Sequence, residues 1–341
     1  MSLRETSSGD FVILKDAISA HLQIIDATLG ASEVPLRIRP LDAATMFVNE
    51  YLIAVSGDGD KENFHEKPWF AVLYHEVKEW YRETYGAAFE REDESRTATG
   101  IVLVRGLPVE LRVPLTRGKV ETPGETAWLF FPIEVEEGEN PLDWLVSPPA
   151  IEKLGANERP ALVDQAVKVA SALRSIRMNL MGVTPTDAVI SGFLDGVLAE
   201  IEGAARQILR NDATVRGSAL WSLQMAAERS LKALSQQKTG SFKESHDLFY
   251  LFDRVNEYLV GVPRDILKRI PRVGQIVNDR YGLRGAPSLY EVVDTFNAVV
   301  SLVSQISFLF GRELNLGGAG FLFKRPPWTS LPTITPPTSV D

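Results

Sequence analysis

The sequence predicts an α+β domain at the N-terminus followed by an all-α antiparallel helical bundle. Apolar residues recur at helical spacing over most of the 341 residues, and the period changes to two only between about residues 100 and 135. From about residue 185 to Phe310 no segment has a strand pattern. The Pro148-Pro149 pair marks the best boundary. The expected divisions are an α+β domain at 1–147, a linker and connecting helix at 148–184, a bundle at 185–312 and a Gly/Pro-rich tail at 313–341.

The first domain is expected to contain three helices and then three strands. The helices cover about residues 11–29, 42–55 and 68–85, and the third begins at Pro68 and ends at Gly86. "GIVLVRG" and "PVELRVPL" are expected to pair as a hairpin whose turn is Gly106-Leu107-Pro108. "TAWLFFPIEV" is predicted as a third strand at a sheet edge, because Pro132 has no N–H to donate.

The bundle shows clear helix starts and apolar stripes. A helix is expected after Thr184 as N-cap, with Pro185 as its first residue and Asp187 as its third. Another covers residues 218–236, in which Glu228 and Lys232 have the spacing of an ion pair. Ser245 is predicted to cap the next helix and to place His246 and Asp247 in its first turn. The predicted interior consists of Leu223, Leu231, Leu248, Leu251, Phe252, Val299, Leu302 and Ile306.

Composition narrows the function. No cysteine is present, which excludes disulfides, thiol catalysis and Cys-ligated zinc. The sequence contains no run of about 18 apolar residues, so no membrane span is predicted. The first residues lack the pattern of a signal peptide, so a cytoplasmic location is expected.

The charge is uneven along the chain. Residues 1–150 hold 14 Lys/Arg against 26 Asp/Glu, a balance of -12, within a net charge of -9. This acidic part argues against the broad basic face of a non-specific nucleic-acid binder. A local basic strip remains between residues 254 and 284, either a solvated face or a site for an anionic ligand. Its cations are Arg254, Arg264, Lys268, Arg269, Arg272, Arg280 and Arg284.

The chain contains four histidines. His65 and His75 have acidic neighbours but no His-Glu-x-x-His pattern, so no metal site is expected. His21 lies beside an apolar stripe and is expected to be partly buried. In a first turn, His246 is expected to be neutral, because a positive imidazole would oppose the positive end of the helix dipole. It could be a catalytic group, a ligand contact or a packed side chain.

The order of motifs in the bundle is similar to that of the HEPN domain (higher eukaryotes and prokaryotes nucleotide-binding). The resemblance covers about residues 186–312. It depends on "MAAERSLKALSQQ", "SHDLFYLF" and "DRYG", followed by the helix "SLYEVVDTFNAVVSLVSQISFLF". It implies a bundle of four or five helices that is often dimeric. Many members are metal-independent ribonucleases, and others are non-catalytic partners of small nucleotidyltransferases. The ribonuclease members carry an Arg four to six residues before a His, and no histidine here has that neighbour.

Three functions remain open. The first is a non-catalytic HEPN-type module, without a cofactor, that binds nucleotide, RNA or a protein partner as a homodimer. A second is a divergent metal-independent endoribonuclease in which His246 is the general acid/base and Lys232, Arg229 or Arg280 stabilises phosphate charge. A third is a structural interaction module whose acidic first domain binds a basic partner. The residues expected to contact a ligand are Lys232, His246, Asp247, Arg269, Arg272 and Arg280.

Overall fold

The computed structural model describes residues 8–55, 61–90, 96–183, 187–281, 285–312 and 314–326, without the side chains of residues 8–17, 90 and 280. Thr184 and Pro185, predicted to begin a helix, lie outside these residues. The described chain is mixed, mostly helical with small antiparallel sheets. Its contacts divide it into two compact units. The first comprises Met1–Glu92, Thr122–Thr126 and Lys324–Asp341, and the second comprises Asp93–Glu121 and Ala127–Phe323.

The first unit is built from helices α1 (Ser8–Ala31), α2 (Arg39–Glu50), α3 (Pro68–Tyr85) and α4 (Ala87–Glu90). Ile18, Leu22 and Ile25 are buried, which confirms the apolar stripe of the first helix where side chains are described. The predicted bounds of the third helix are confirmed, with Gly86 as its C-cap at a positive φ.

The second unit begins with an antiparallel hairpin of β1 (Thr97–Val104) and β2 (Leu107–Pro114). The hairpin was predicted, but its turn is Arg105-Gly106 and not Gly106-Leu107-Pro108. Both turn residues have positive φ, as a tight two-residue hairpin turn requires. Contacts group this hairpin with the helices that follow it, whereas the predicted boundary at residue 147 grouped it with the first three helices.

A separate three-stranded sheet has the order β3 (Arg117–Thr122), β4 (Thr126–Phe130) and β5 (Gly320–Lys324). The prediction that β4 lies at an edge is wrong, because β4 is the central strand. It ends at Phe130, so Pro132 lies outside the ladder and imposes no constraint on it. Within the Gly/Pro-rich tail predicted at 313–341, residues 320–324 form β5, and residues 327–341 lie outside the described part.

The helical part of the second unit packs around one central helix. Its helices are α5 (Glu158–Met181), α6 (Ala188–Leu209), α7 (Arg216–Thr239), α8 (Leu248–Arg254), α9 (Val273–Arg280) and α10 (Leu289–Ser307). A 3-10 helix covers Arg264–Arg269. Helix α7 contacts α6, α8, α9 and α10, while α5 packs on α10 and on β1. All eight residues predicted for the interior are buried. Asp187 is the N-cap of α6 and not its third residue, since its side chain accepts a hydrogen bond from Val189 N–H.

Candidate ligand-binding site

One face of α7 carries a ladder of buried polar side chains. Gln224, Glu228 and Lys232 follow one another at four-residue spacing, so they lie on the same side of the helix. The Nζ of Lys232 lies 2.7 Å from Oε1 of Glu228, which confirms the predicted ion pair. Lys232 also lies over the ring of Phe242, with Nζ 5.8 Å from the ring centroid. A lysine held in this way neutralises Glu228 inside the protein, and its ammonium group is not presented to a ligand.

His246 binds the second oxygen of the same carboxylate. Its Nδ1 lies 2.9 Å from Oε2 of Glu228, 18 residues away in sequence. An ionised carboxylate can only accept, so Nδ1 carries the hydrogen of this contact. The His246 side chain is 60% exposed. The protein therefore orients this imidazole from one side and leaves its other nitrogen available to a ligand.

The chain around His246 differs from the prediction. Asp247, and not Ser245, is the N-cap of α8, because its Oδ1 accepts hydrogen bonds from Phe249 N–H (2.9 Å) and Tyr250 N–H (3.3 Å). His246 therefore precedes the helix and is not in its first turn. The expectation of a neutral imidazole opposite a helix dipole loses its basis, and Glu228 is the charged group that the ring contacts.

An aromatic ring and two guanidinium groups lie beside the chain segment that contains His246. The guanidinium carbon of Arg272 is 3.9 Å from the ring centroid of Phe249, and that of Arg264 is 4.9 Å from it. Arg272 forms a long ion pair with Asp247, with 3.6 Å between Nη1 and Oδ1. The structure thus brings three of the predicted ligand residues, His246, Asp247 and Arg272, into one neighbourhood.

A small pocket of about 120 Å³ is lined by His246, Asp247, Phe249 and Arg272, but not by Arg264. Its polar lining comes from Gln224, His246, Asp247 and Arg272, and its apolar lining includes Leu267 and Ile270. Apolar walls with a few polar groups are typical of small-molecule sites. This pocket is the candidate functional site.

Three other cations of the basic strip, Arg264, Lys268 and Arg269, are paired with carboxylates. Two nitrogens of Arg264 lie 2.7 Å from the two oxygens of Asp253, and hydrogen bonds from Arg264 lower the pKa of Asp253. Arg269 donates to both carboxylate oxygens of Asp294, and this contact raises the pKa of Arg269. Lys268 lies 2.7 Å from Asp265.

These pairs reduce the positive charge of the strip. Asp253 and Asp294 lie outside residues 254–284, so the strip is less positive than a count of the charges within that range indicates. Arg269 belongs to this paired set, away from the pocket. The side chain of Arg280, another predicted ligand residue, lies outside the described part of the chain. Arg229 was considered as a group that stabilises phosphate charge. Its Nη2 lies 3.8 Å from Oε1 of Glu200 on α6.

Among the residues of the pocket, Gln224 and Phe249 were not predicted as ligand contacts. Gln224 was missed although a polar residue on the apolar face of α7 is itself a signal, since buried polar groups require partners. Phe249 was named only within the motif "SHDLFYLF". Its contact with Arg272 brings together residues that are 23 positions apart, and no local pattern reports such a contact.

Other classes of site find no support in the described residues. There, no three His, Asp or Glu side chains come close enough to hold a metal ion. None of the described helices is both long and apolar enough to cross a membrane. Comparison of the chain with protein-family models, with curated proteins and with solved structures gives no significant match.

Proposed function

We propose that the protein is a non-catalytic HEPN-type module whose helical part binds a nucleotide, free or within RNA. The observation that carries the proposal is the convergence of an oriented imidazole, an arginine and an aromatic ring on one pocket of about 120 Å³. In this arrangement the base occupies the pocket and the phosphate contacts Arg272. The resemblance of residues 186–312 to the HEPN domain supports the same ligand class.

Arg272 is better suited to bind phosphate than its neighbours in the strip. Its contact with Asp247 is a single pair at 3.6 Å, and both side chains are exposed. Arg264 and Arg269 each hold both oxygens of a carboxylate with at least one contact of 2.7 Å or shorter. Two-point guanidinium–carboxylate contacts are the stronger kind, so a phosphate would displace them less readily. A ligand can therefore recruit Arg272 at little cost.

Calorimetric titration of the full chain with mononucleotides and short RNA at low and physiological salt tests the proposal. Dissociation constants in the micromolar range or weaker are expected. Arg272→Gln should weaken binding about tenfold or more, because a hydrogen bond to a charged group contributes about 1.5–3 kcal/mol. Arg269→Gln is the matched control and should leave the affinity unchanged. Absence of binding to every nucleotide and RNA at millimolar concentration would refute the proposal.

A metal-independent ribonuclease is the second candidate, and the contact between Glu228 and His246 favours it. A carboxylate that fixes Nδ1–H and leaves Nε2 exposed orients an imidazole for general base catalysis. Against it stands the sequence, which lacks the Arg that precedes the histidine in HEPN ribonucleases.

RNA cleavage in EDTA decides between the two candidates. We expect the wild type to cleave no more than His246→Ala. An activity that disappears in both His246→Ala and Glu228→Gln would establish the ribonuclease and overturn the non-catalytic proposal.

The resemblance also suggests assembly. The proposal includes a homodimer and a partner of the nucleotidyltransferase type. Light scattering of the purified chain measures whether it is a dimer. If no nucleotide or RNA binds, the remaining hypothesis is an interaction module whose acidic first 150 residues contact a basic protein.

A further inference from the structure

The charged groups that line the pocket cancel one another when His246 is neutral. Asp247 contributes one negative charge and Arg272 one positive charge, and His246 is the third ionisable side chain of the lining. A phosphate therefore meets no net positive charge in this pocket unless the imidazole carries a proton.

The negative charge of Asp247 stays in the pocket when a ligand binds. Its Oδ1 caps α8 and accepts hydrogen bonds from two backbone N–H groups, those of Phe249 and Tyr250. A phosphate that takes Arg272 from this carboxylate is then bound beside a like charge. Like charges at close range oppose binding, and a nearby positive charge relieves the repulsion. His246, the residue before Asp247, is placed to supply it.

The protein holds a countercharge for a protonated His246. Its Nδ1 lies 2.9 Å from Oε2 of Glu228, and the other oxygen of that carboxylate binds Lys232. The contact becomes an ion pair when the imidazole gains a proton, and hydrogen bonds between charged groups are the stronger kind. The side chain is also 60% exposed, so a proton reaches it from solvent.

The other charged groups around His246 do not replace it. Lys243 and Glu244, on the same loop, are exposed and opposite in charge. The remaining histidines of the sequence are in the first unit, so His246 is the one histidine of the second unit. Histidine is the side chain whose charge ordinarily changes between about pH 5 and 8. A change of phosphate affinity over that range therefore identifies His246.

We infer that the pocket binds phosphate together with a proton, with protonated His246 as its second positive charge beside Arg272. This inference rests on the proposed function. As the pH falls, more of the imidazole is protonated and phosphate binds more tightly. Since such coupling is reciprocal, a bound phosphate draws a proton onto His246. The coupling does not require a direct hydrogen bond, because charges within about 8 Å of each other are not fully screened at physiological ionic strength.

Calorimetric titration of the full chain at about pH 5.5, 6.5 and 8 tests the inference, because this range covers the ordinary titration of histidine. The probes are an oligouridylate with hydroxyl ends and adenosine 3′,5′-cyclic monophosphate. Both carry only phosphodiesters, whereas a phosphomonoester takes up a proton of its own near about pH 6. Binding should be about fivefold tighter at the lowest pH than at the highest, the factor expected for one added ion pair at an exposed site. Titrations at the middle pH in buffers of different ionisation enthalpy should show a net uptake of protons.

Variants assign the proton to one residue. His246→Gln should bind at the lowest pH as weakly as the wild type does at the highest, and it should take up no proton. His246→Lys carries its charge throughout the range and should bind tightly at every pH. His75→Gln, at an exposed histidine of the first unit, is the matched control and should keep the pH dependence of the wild type. Circular dichroism shows whether each variant is folded, and the wild-type measurements do not depend on it.

The possible failures are distinguishable. Equal affinity of the wild type at all three pH values, with Arg272→Gln still weakening binding, overturns the inference and leaves the proposed function standing. A pH dependence that persists in His246→Gln overturns it too, because another group then carries the proton. Binding of 5′-mononucleotides without binding of either probe at any pH has the same meaning. Failure of every nucleotide and RNA to bind refutes both.

Discussion

Replacing Arg174 by methionine should lower the free energy of unfolding of the second unit far more than any substitution at the surface. Arg174 lies on α5, and its side chain is 0% exposed. Its guanidinium donates to the carbonyls of Pro114 and Glu134, each at 2.8 Å, and to the two carboxylate oxygens of Glu139 at 2.6 and 2.8 Å. It also lies 4.8 Å from the ring centroid of Trp144. One side chain thus joins α5 to the end of β2 and to the loop that follows β4.

The expected loss follows from what the methionine leaves behind. Methionine fills much of the space but donates nothing, so Glu139 loses its countercharge and two carbonyls lose their donors. Removing one partner of a buried ion pair costs about 3–5 kcal/mol. Glu139 keeps 11% of its side chain exposed, which favours the lower half of this range. In Arg174→Met/Glu139→Leu no uncompensated charge remains, so the double variant should lose less than Arg174→Met alone.

Urea unfolding followed by hydrogen exchange of α5 and β2 is the appropriate assay, because the chain has two units and only the second contains Arg174. Arg159→Met is the matched control, an exposed arginine on the same helix, and it should change stability by less than about 0.5 kcal/mol. If Arg174→Met also stays within that margin, Arg174 does not hold the second unit together.

Three further changes test the packing of the second unit. Leu231→Ala should lose about 2–5 kcal/mol, because Leu231 is 1% exposed in the centre of α7, and an unchanged urea midpoint would show that the helix register is wrong. Gly182→Ala should lose about 1–3 kcal/mol, since its Cβ would lie 2.0 Å from a backbone oxygen beyond α10. Gly203→Ala, inside α6 with free space around it, should gain about 0.5–1 kcal/mol, and equal effects at both glycines would contradict the packing. Burial raises the pKa of Glu139, but hydrogen bonds, chiefly from Arg174, outweigh it and hold the pKa below 4.5. Ionised Glu139 therefore stabilises the protein at a pH above its pKa in the unfolded chain, and this contribution is lost as the pH falls through its pKa in the folded protein. Below about pH 4.5 the wild type should therefore lose more stability than Glu139→Gln does. Parallel pH profiles of the two proteins would refute this.

The sequence predicted elements whose signals are local. The start of α3 at Pro68 and its end before Gly86 depend on single residues, and the buried positions Leu223 and Leu231 depend on the helical period. Both follow from steric preferences and from burial of one helix face, which act over a few residues. The contact between Glu228 and His246 was not predictable in this way, because it is made only when the loop after α7 folds back on that helix.

The same limit applies to the charge of the basic strip. A count of the charges within residues 254–284 does not include Asp294, which pairs with Arg269 from 25 positions further along the chain. Gln224 shows the reverse situation. Its polarity on a buried face was visible in the sequence, yet only the structure shows that Nε2 has a partner and that Oε1 has none.

The pairing of the strip changes what salt should do to RNA binding. A strip of free cations would release several counterions, and the affinity would fall steeply with salt. Arg264, Lys268 and Arg269 already contact carboxylates, whereas Arg272 lines the pocket and is the phosphate contact of the proposed site. Each phosphate contact adds about 0.7 to the salt slope for a single strand, so a slope of about -1 is expected. A ten-nucleotide RNA should then bind little more tightly than a mononucleotide, and Arg272→Gln should remove most of its salt dependence. A slope of about -3 or steeper, unchanged in that variant, would mean that RNA lies along another surface and that the pocket is not its site.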